Sequence, residues 1–73
     1  MSKTETIFVS LLDEGVDVWR PVHAVHVRDN LYRILDQAYD RDLETWQFVP
    51  GDEVICDMIA SSDGRILAAV RKS

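Results

Sequence analysis

A chain of 73 residues has room for one domain. Its 47% apolar and 29% charged content excludes a disordered chain, and 8 basic against 13 acidic side chains leave a net charge of −5 that repels polyanions at long range. The single cysteine, Cys56, excludes an internal disulfide framework and a multi-cysteine zinc site.

The apolar pattern has period two through most of the chain and is cut by turn signals at short intervals. Thr6 to Leu12 reads as a strand, closed by Asp13-Glu14-Gly15, where Gly15 supplies the positive φ of a three-residue hairpin turn. Val16 to Val27 is the second strand, with Pro21 inside it and Arg28-Asp29-Asn30 after it. Here Val16, Val18, Val22 and Ala24 share one face with Arg20, while Trp19 falls on the other beside Asp17, Pro21 and His23. Past Ala24 the apolar set changes parity to Val25 and Val27, which predicts a bulge or sharp bend through which the strand serves both halves of the core.

Leu31 to Leu35 is the third strand. Asp36 to Glu44 lacks alternation, and Leu35, Tyr39 and Leu43 recur every four residues. This predicts an acidic loop or one short helical turn, packed down by Tyr39 and Leu43. Trp46-Gln47-Phe48 alternates again, and Val49-Pro50-Gly51-Asp52 has the Pro-Gly pair of a type II turn. Glu53 to Ile59, the hairpin signal Ser61-Ser62-Asp63-Gly64, and Ile66 to Val70 complete the pattern. Five or six short strands at this spacing predict an all-β small barrel, SH3-like, because closure removes edges that so short a chain has little means to cover. The expected core is Phe8, Val18, Ile34, Trp46, Phe48, Val54, Cys56 and Ile66. The competing architecture is an α+β domain in which Asp36 to Glu44 is a true helix on an open sheet.

The stretch Leu11-Leu12-Asp13-Glu14-Gly15-Val16-Asp17-Val18-Trp19-Arg20-Pro21-Val22 resembles a group of small bacterial proteins of uncharacterised function, in which a Leu-Asp-Glu-Gly turn precedes Val-Trp-Arg-Pro-Val. The similarity continues through Leu31-Tyr32-Arg33-Ile34, Trp46-Gln47-Phe48 and Pro50-Gly51-Asp52-Glu53-Val54-Ile55-Cys56. It implies a compact bacterial β domain and carries over no catalytic residue.

The residues that carry chemistry are sparse. His23 and His26 are three apart on a strand and point to opposite faces, so they do not chelate one metal; no metal and no cofactor are expected. Cys56 shares strand parity with Val54 and Met58, as a small core residue does, and no nucleophile elbow, phosphate loop or zincin pattern occurs, so no catalytic residue is assigned. Trp19, Tyr32, Trp46 and Phe48 offer faces on which bases stack, but Lys3, Arg20, Arg28, Arg33, Arg41, Arg65, Arg71 and Lys72 are scattered. A single-stranded nucleic-acid binder is therefore the runner-up to a protein-interaction module. Trp19 and Arg20, of the residue types enriched at binding hot spots, are the expected anchors for an unidentified protein partner, with Asp36, Asp40, Asp42 and Glu44 as a charged rim. The plainer alternative is that Trp19 caps the barrel, Arg20 pairs with Asp13, Glu14 or Asp17, and the acidic run is solvated. The polar start, Met1 to Thr6, and a longest apolar run of only Ile66 to Val70 give no secretory h-region and no membrane span, so the expectation is a cytoplasmic monomer or weak homodimer.

Overall fold

The computed structural model describes residues 4–12, 18–62 and 64–73. The expected Asp13-Glu14-Gly15 turn, the proposed partners of Arg20, and Val16 and Asp63 lie outside the described residues. Five strands form a closed barrel in chain order: β1 (Thr4–Ser10), β2 (Trp19–Arg28), β3 (Leu31–Ile34), β4 (Glu53–Ser61) and β5 (Gly64–Lys72). Each consecutive pair is antiparallel. The first and fifth strands of such a meander run in the same direction, so the closing seam must be parallel, and it is made where Phe8 pairs with Ala68. No helix long and apolar enough to cross a membrane occurs among the described residues.

Alternation decides which side chains enter the barrel. Ile7 and Val9 of β1, Val22 and Ala24 of β2, Ile34 of β3, Val54 and Cys56 of β4 and Ala69 of β5 fill it, joined by Leu11, Trp46 and Phe48. Five of the eight expected core residues are there. Phe8 is not: its neighbours Ile7 and Val9 point inward, so the pleat turns Phe8 to the outer face, where it is half-buried. Ile66 is likewise an outer-face residue, paired with Ile59, and Val18 is partly buried against the core from its rim. The parity change expected past Ala24 resolves as a bulge between His26 and Arg28, and Val25 and Val27 stay out of the core, so β2 does not feed both of its halves.

Trp46-Gln47-Phe48 keeps its alternation but is not a barrel strand. Trp46 makes one isolated bridge to Leu11, with Leu12 N–H donating to Thr45 O at 2.8 Å and Gln47 N–H to Ser10 O at 2.8 Å. The segment is a lid laid on the end of β1, and its two aromatics plug that end of the barrel.

The connection from β3 to β4 contains no helix. Asp40 O accepts from Leu43 and Glu44 N–H at 3.1 and 3.0 Å, giving a single turn. The expected type II turn follows. Asp52 N–H donates to Val49 O at 3.0 Å and Gly51 has φ +96°, which only glycine adopts without strain. Gly51 N–H to Ile34 O (2.7 Å) and Ile34 N–H to Asp52 O (2.9 Å) fasten the turn to β3.

Candidate interaction surface

The lidded end of the barrel carries the candidate site. Trp46 is 4% exposed, and three groups fix it from outside the core. Tyr39 stacks on the indole at 4.4 Å between centroids, and its hydroxyl accepts the Trp46 backbone N–H at 3.0 Å. Trp46 Nε1 donates to Glu44 Oε1 at 3.0 Å. The same carboxylate oxygen lies 3.6 Å from Arg20 Nε. Arg20 pairs across the ladder with the buried Val9, so it starts on the inward face and turns over the rim to reach Glu44. Its guanidinium is half exposed, and a pair in that setting contributes about 0–1 kcal/mol, so its role is to position more than to stabilise.

Beside this cluster β2 has β1 on one side and no described strand on the other. β3 covers β2 only from Ala24 onward. At His23 the backbone pairing ends with Leu35 N–H donating to His23 O at 3.0 Å, and the side-chain amide of Gln37 completes the position. Its Oε1 accepts His23 N–H at 3.0 Å, and its Nε2 donates to His23 O at 2.9 Å and Leu35 O at 2.8 Å. By alternation the nitrogen of Pro21 faces the same way, where a missing donor costs no ladder bond. From Trp19 to Pro21 no described strand runs along the side of β2 that faces away from β1.

Two adjoining depressions line this side, one walled by Arg20, Pro21, His23, Gln37, Ala38 and Trp46, the other by Arg20, Ala38, Asp40, Leu43, Glu44 and Trp46. At ≈ 220 and ≈ 210 Å³ each is smaller than the roughly 300–1,000 Å³ of a site that encloses a small ligand. Leu43 stands at their edge and is 77% exposed, so it does not pack the loop down as its helical spacing implied. Tyr39 does, held between Trp46 and the Arg41 guanidinium, 5.8 Å from its ring centre.

Of the six expected site residues, Arg20, Asp40 and Glu44 meet at this surface. Trp19 does not. It pairs with Ser10 on the outer face, half-buried and away from Arg20's side of the strand. Asp36 borders a separate depression with Tyr39, Arg41 and Pro50. Asp42 is exposed and tied to the loop by its N–H donating to Asp40 Oδ1 at 3.0 Å. Sequence reading passed over Trp46, Gln37 and Leu43. The pattern offers the indole as a core residue or a base-stacking face and not as a partner-binding one, and nothing in a lone Gln announces that it completes a strand position.

Elsewhere the reactive groups are quiet. Cys56 is 1% exposed, and burial pushes its thiol up to about 11, away from the nucleophilic thiolate. Both histidines are exposed; His26 Nε2 lies 2.6 Å from Asp29 O and its ring tilts against Tyr32. Among the described residues no three His, Cys, Asp or Glu side chains converge as a metal-ion site. No family model, no curated protein and no solved structure matches the chain.

Proposed function

We propose that this chain is a non-catalytic protein-interaction module of the bacterial cytoplasm, built on an SH3-like barrel, whose contact surface is the rim formed by Arg20, Asp40, Leu43 and Glu44 over Trp46. The observation that carries the reading is Leu43. A loop pinned by the Tyr39–Trp46 stack holds a large apolar side chain out in water beside an arginine paired to Glu44. The depressions there suit a few protruding side chains of a partner better than an enclosed substrate. Asp36, Asp40, Asp42 and Glu44 outnumber Arg41 along the loop, so the partner presents a basic face. The group of bacterial proteins that shares the Val-Trp-Arg-Pro-Val motif is the place to look for the same rim.

Leu43→Asp tests it. The side chain makes little contact, so the melting transition should stay within about 0.5 kcal/mol of wild type while a co-purifying protein is lost from affinity capture. Labelled single-stranded oligonucleotides at low salt test the competing class. Tight binding that falls steeply with salt would replace the proposal, although the burial of Trp46 and Phe48 withdraws two of the four aromatic faces from stacking.

A further inference from the structure

The β2–β3 and β4–β5 hairpins are unequal, and the difference leaves one strand edge uncovered. The β2–β3 hairpin turns at Asp29-Asn30, level with Cys56, where Asn30 O accepts Cys56 N–H at 2.9 Å. The β4–β5 hairpin runs on to Ser61 and Gly64. From Asp57 to Ser61, β4 is therefore paired with β5 on one side and with no described strand on the other. Alternation fixes which groups face outward. Cys56 N–H points away from β5, so those of Met58 and Ala60 do too, together with their carbonyls. Among the described residues Met58 N–H is met only by its neighbour's carboxylate, Asp57 Oδ1, at 2.9 Å.

We infer that this edge receives a second copy of the chain, β4 pairing antiparallel with β4 about a two-fold axis at Ile59. An isologous contact sets residue i against j and j against i, and this strand satisfies that condition. With Ile59 opposite Ile59 of the second copy, Met58 faces Ala60 of the second copy, and the outward groups of both are hydrogen-bonding partners in register. Asp57, the one charge between 57 and 61, faces Ser61 of the second copy and not another carboxylate. Since Ile59 already pairs with Ile66 on β5, the outer face gains an unbroken row of four isoleucines, Ile66 and Ile59 from each copy. On the other face Met58, 53% exposed beside Leu67, gains Ala60 of the second copy as a neighbour. Asp57 then acts as the monomer's edge guard, satisfying Met58 N–H until the carbonyl of Ala60 replaces it.

Five residues of edge bury less than the roughly 1,600 Å² of a standard interface, so the dimer is weak, with a Kd on the order of 100 µM. Two copies at −5 repel one another at long range, so added salt strengthens it, the reverse of polyanion binding.

Sedimentation velocity from about 10 µM to about 1 mM brackets that Kd and should show the wild type passing from monomer to dimer, more readily as salt is raised. Ala60→Pro removes an outward N–H that no bond among the described residues uses, and should stay monomeric throughout. Ala60→Lys at the same exposed position should do the same, and it serves if the proline variant does not fold. Ile59→Cys places the two sulfurs across a non-hydrogen-bonded pair, about 4.5 Å between Cα atoms, and should form a covalent dimer on mild oxidation. Ser61→Cys should not, since its partner in this register is Asp57. A wild type that remains monomeric up to about 1 mM overturns the inference, as does a dimer that survives both Ala60 variants or a Ser61→Cys chain that cross-links as fast as Ile59→Cys. None of these residues touches the Leu43 rim, so the two surfaces fail or stand independently.

Discussion

Cys56 and the two tryptophans show how far a single residue's environment separates like from like. The Cys56 thiol is buried among Val54, Ile34 and Ala69, and its folded pKa of about 11 exceeds the ordinary value of 9.0. Between those values the unfolded chain has lost the proton and the folded one has kept it. The stabilisation is complete below about pH 9 and disappears as pH rises through 11, a loss of about 2–3 kcal/mol. Urea melts at pH 8 and pH 11 should show it, and Cys56→Ala should decline less over the same interval. Part of the decline will remain in that variant, because burial foremost, then the charge of Glu5, still raise the Tyr32 phenol in the same direction, while the third cause, the Cys56 thiolate, is removed with the side chain. The tryptophans divide by pleat. Trp46→Ala removes a plug from the barrel end together with the partners of Tyr39 and Glu44, and should cost roughly 3–5 kcal/mol, enough to unfold much of so small a domain. Trp19→Ala, on the outer face, should cost well under half of that in the same melts. The alternation of Trp46 with Phe48 made the first of these legible from sequence. Trp19's side was legible too, from its place opposite Val18 and Val22, but its distance from the site was not, because parity says which face a side chain takes and not what lies beneath that face.

At the scale of elements, the barrel strands and the Pro50-Gly51 turn were legible because each depends on chemistry local to it. Pro50-Gly51 needs only its own dihedrals, and β4 and β5 need only their alternation and a turn. The path from Leu35 to Asp52 was not legible, because it is set by what it covers. Leu43 shares helical spacing with Leu35 and Tyr39, yet the chain here spends its hydrogen bonds on the edge of β2 and the end of β1 and makes no helix. Gln37 is the clearest case, an amide side chain that occupies one strand position beside His23. Gln37→Leu keeps the size and removes three hydrogen bonds. The groups are exposed enough for water to replace part of the loss, so the expected cost is about 1–2 kcal/mol. The more specific readout is hydrogen exchange. The His23 amide should lose its protection while the Val22 and Ala24 amides, which face β1, keep theirs.

For the molecule as a whole, closure is the property that a meander of five strands has to solve. The odd strand count leaves β1 and β5 parallel, with no hairpin to join them. β1 is zipped to β2 along its whole length, whereas across the seam the pairing is the single bridge of Phe8 to Ala68. Ala68 points to the outer face, away from the core cluster, and yet is fully buried. The half-buried Phe8 is its partner there, so an aromatic on the outside of the barrel compensates for the sparse hydrogen bonding at the join. This explains why a phenylalanine that alternation assigns to solvent is present at all, and it makes Phe8 a measure of closure. Phe8→Ala should cost about 1–3 kcal/mol, the range for losing a partly buried aromatic. The loss should also be local. Amides of β5 near Ala68 should exchange faster at denaturant concentrations where the β1–β2 ladder is still protected, because opening the seam leaves that ladder intact. If instead β1, β2 and β5 lose protection together in Phe8→Ala, the seam has no stability of its own and the barrel opens only by unfolding.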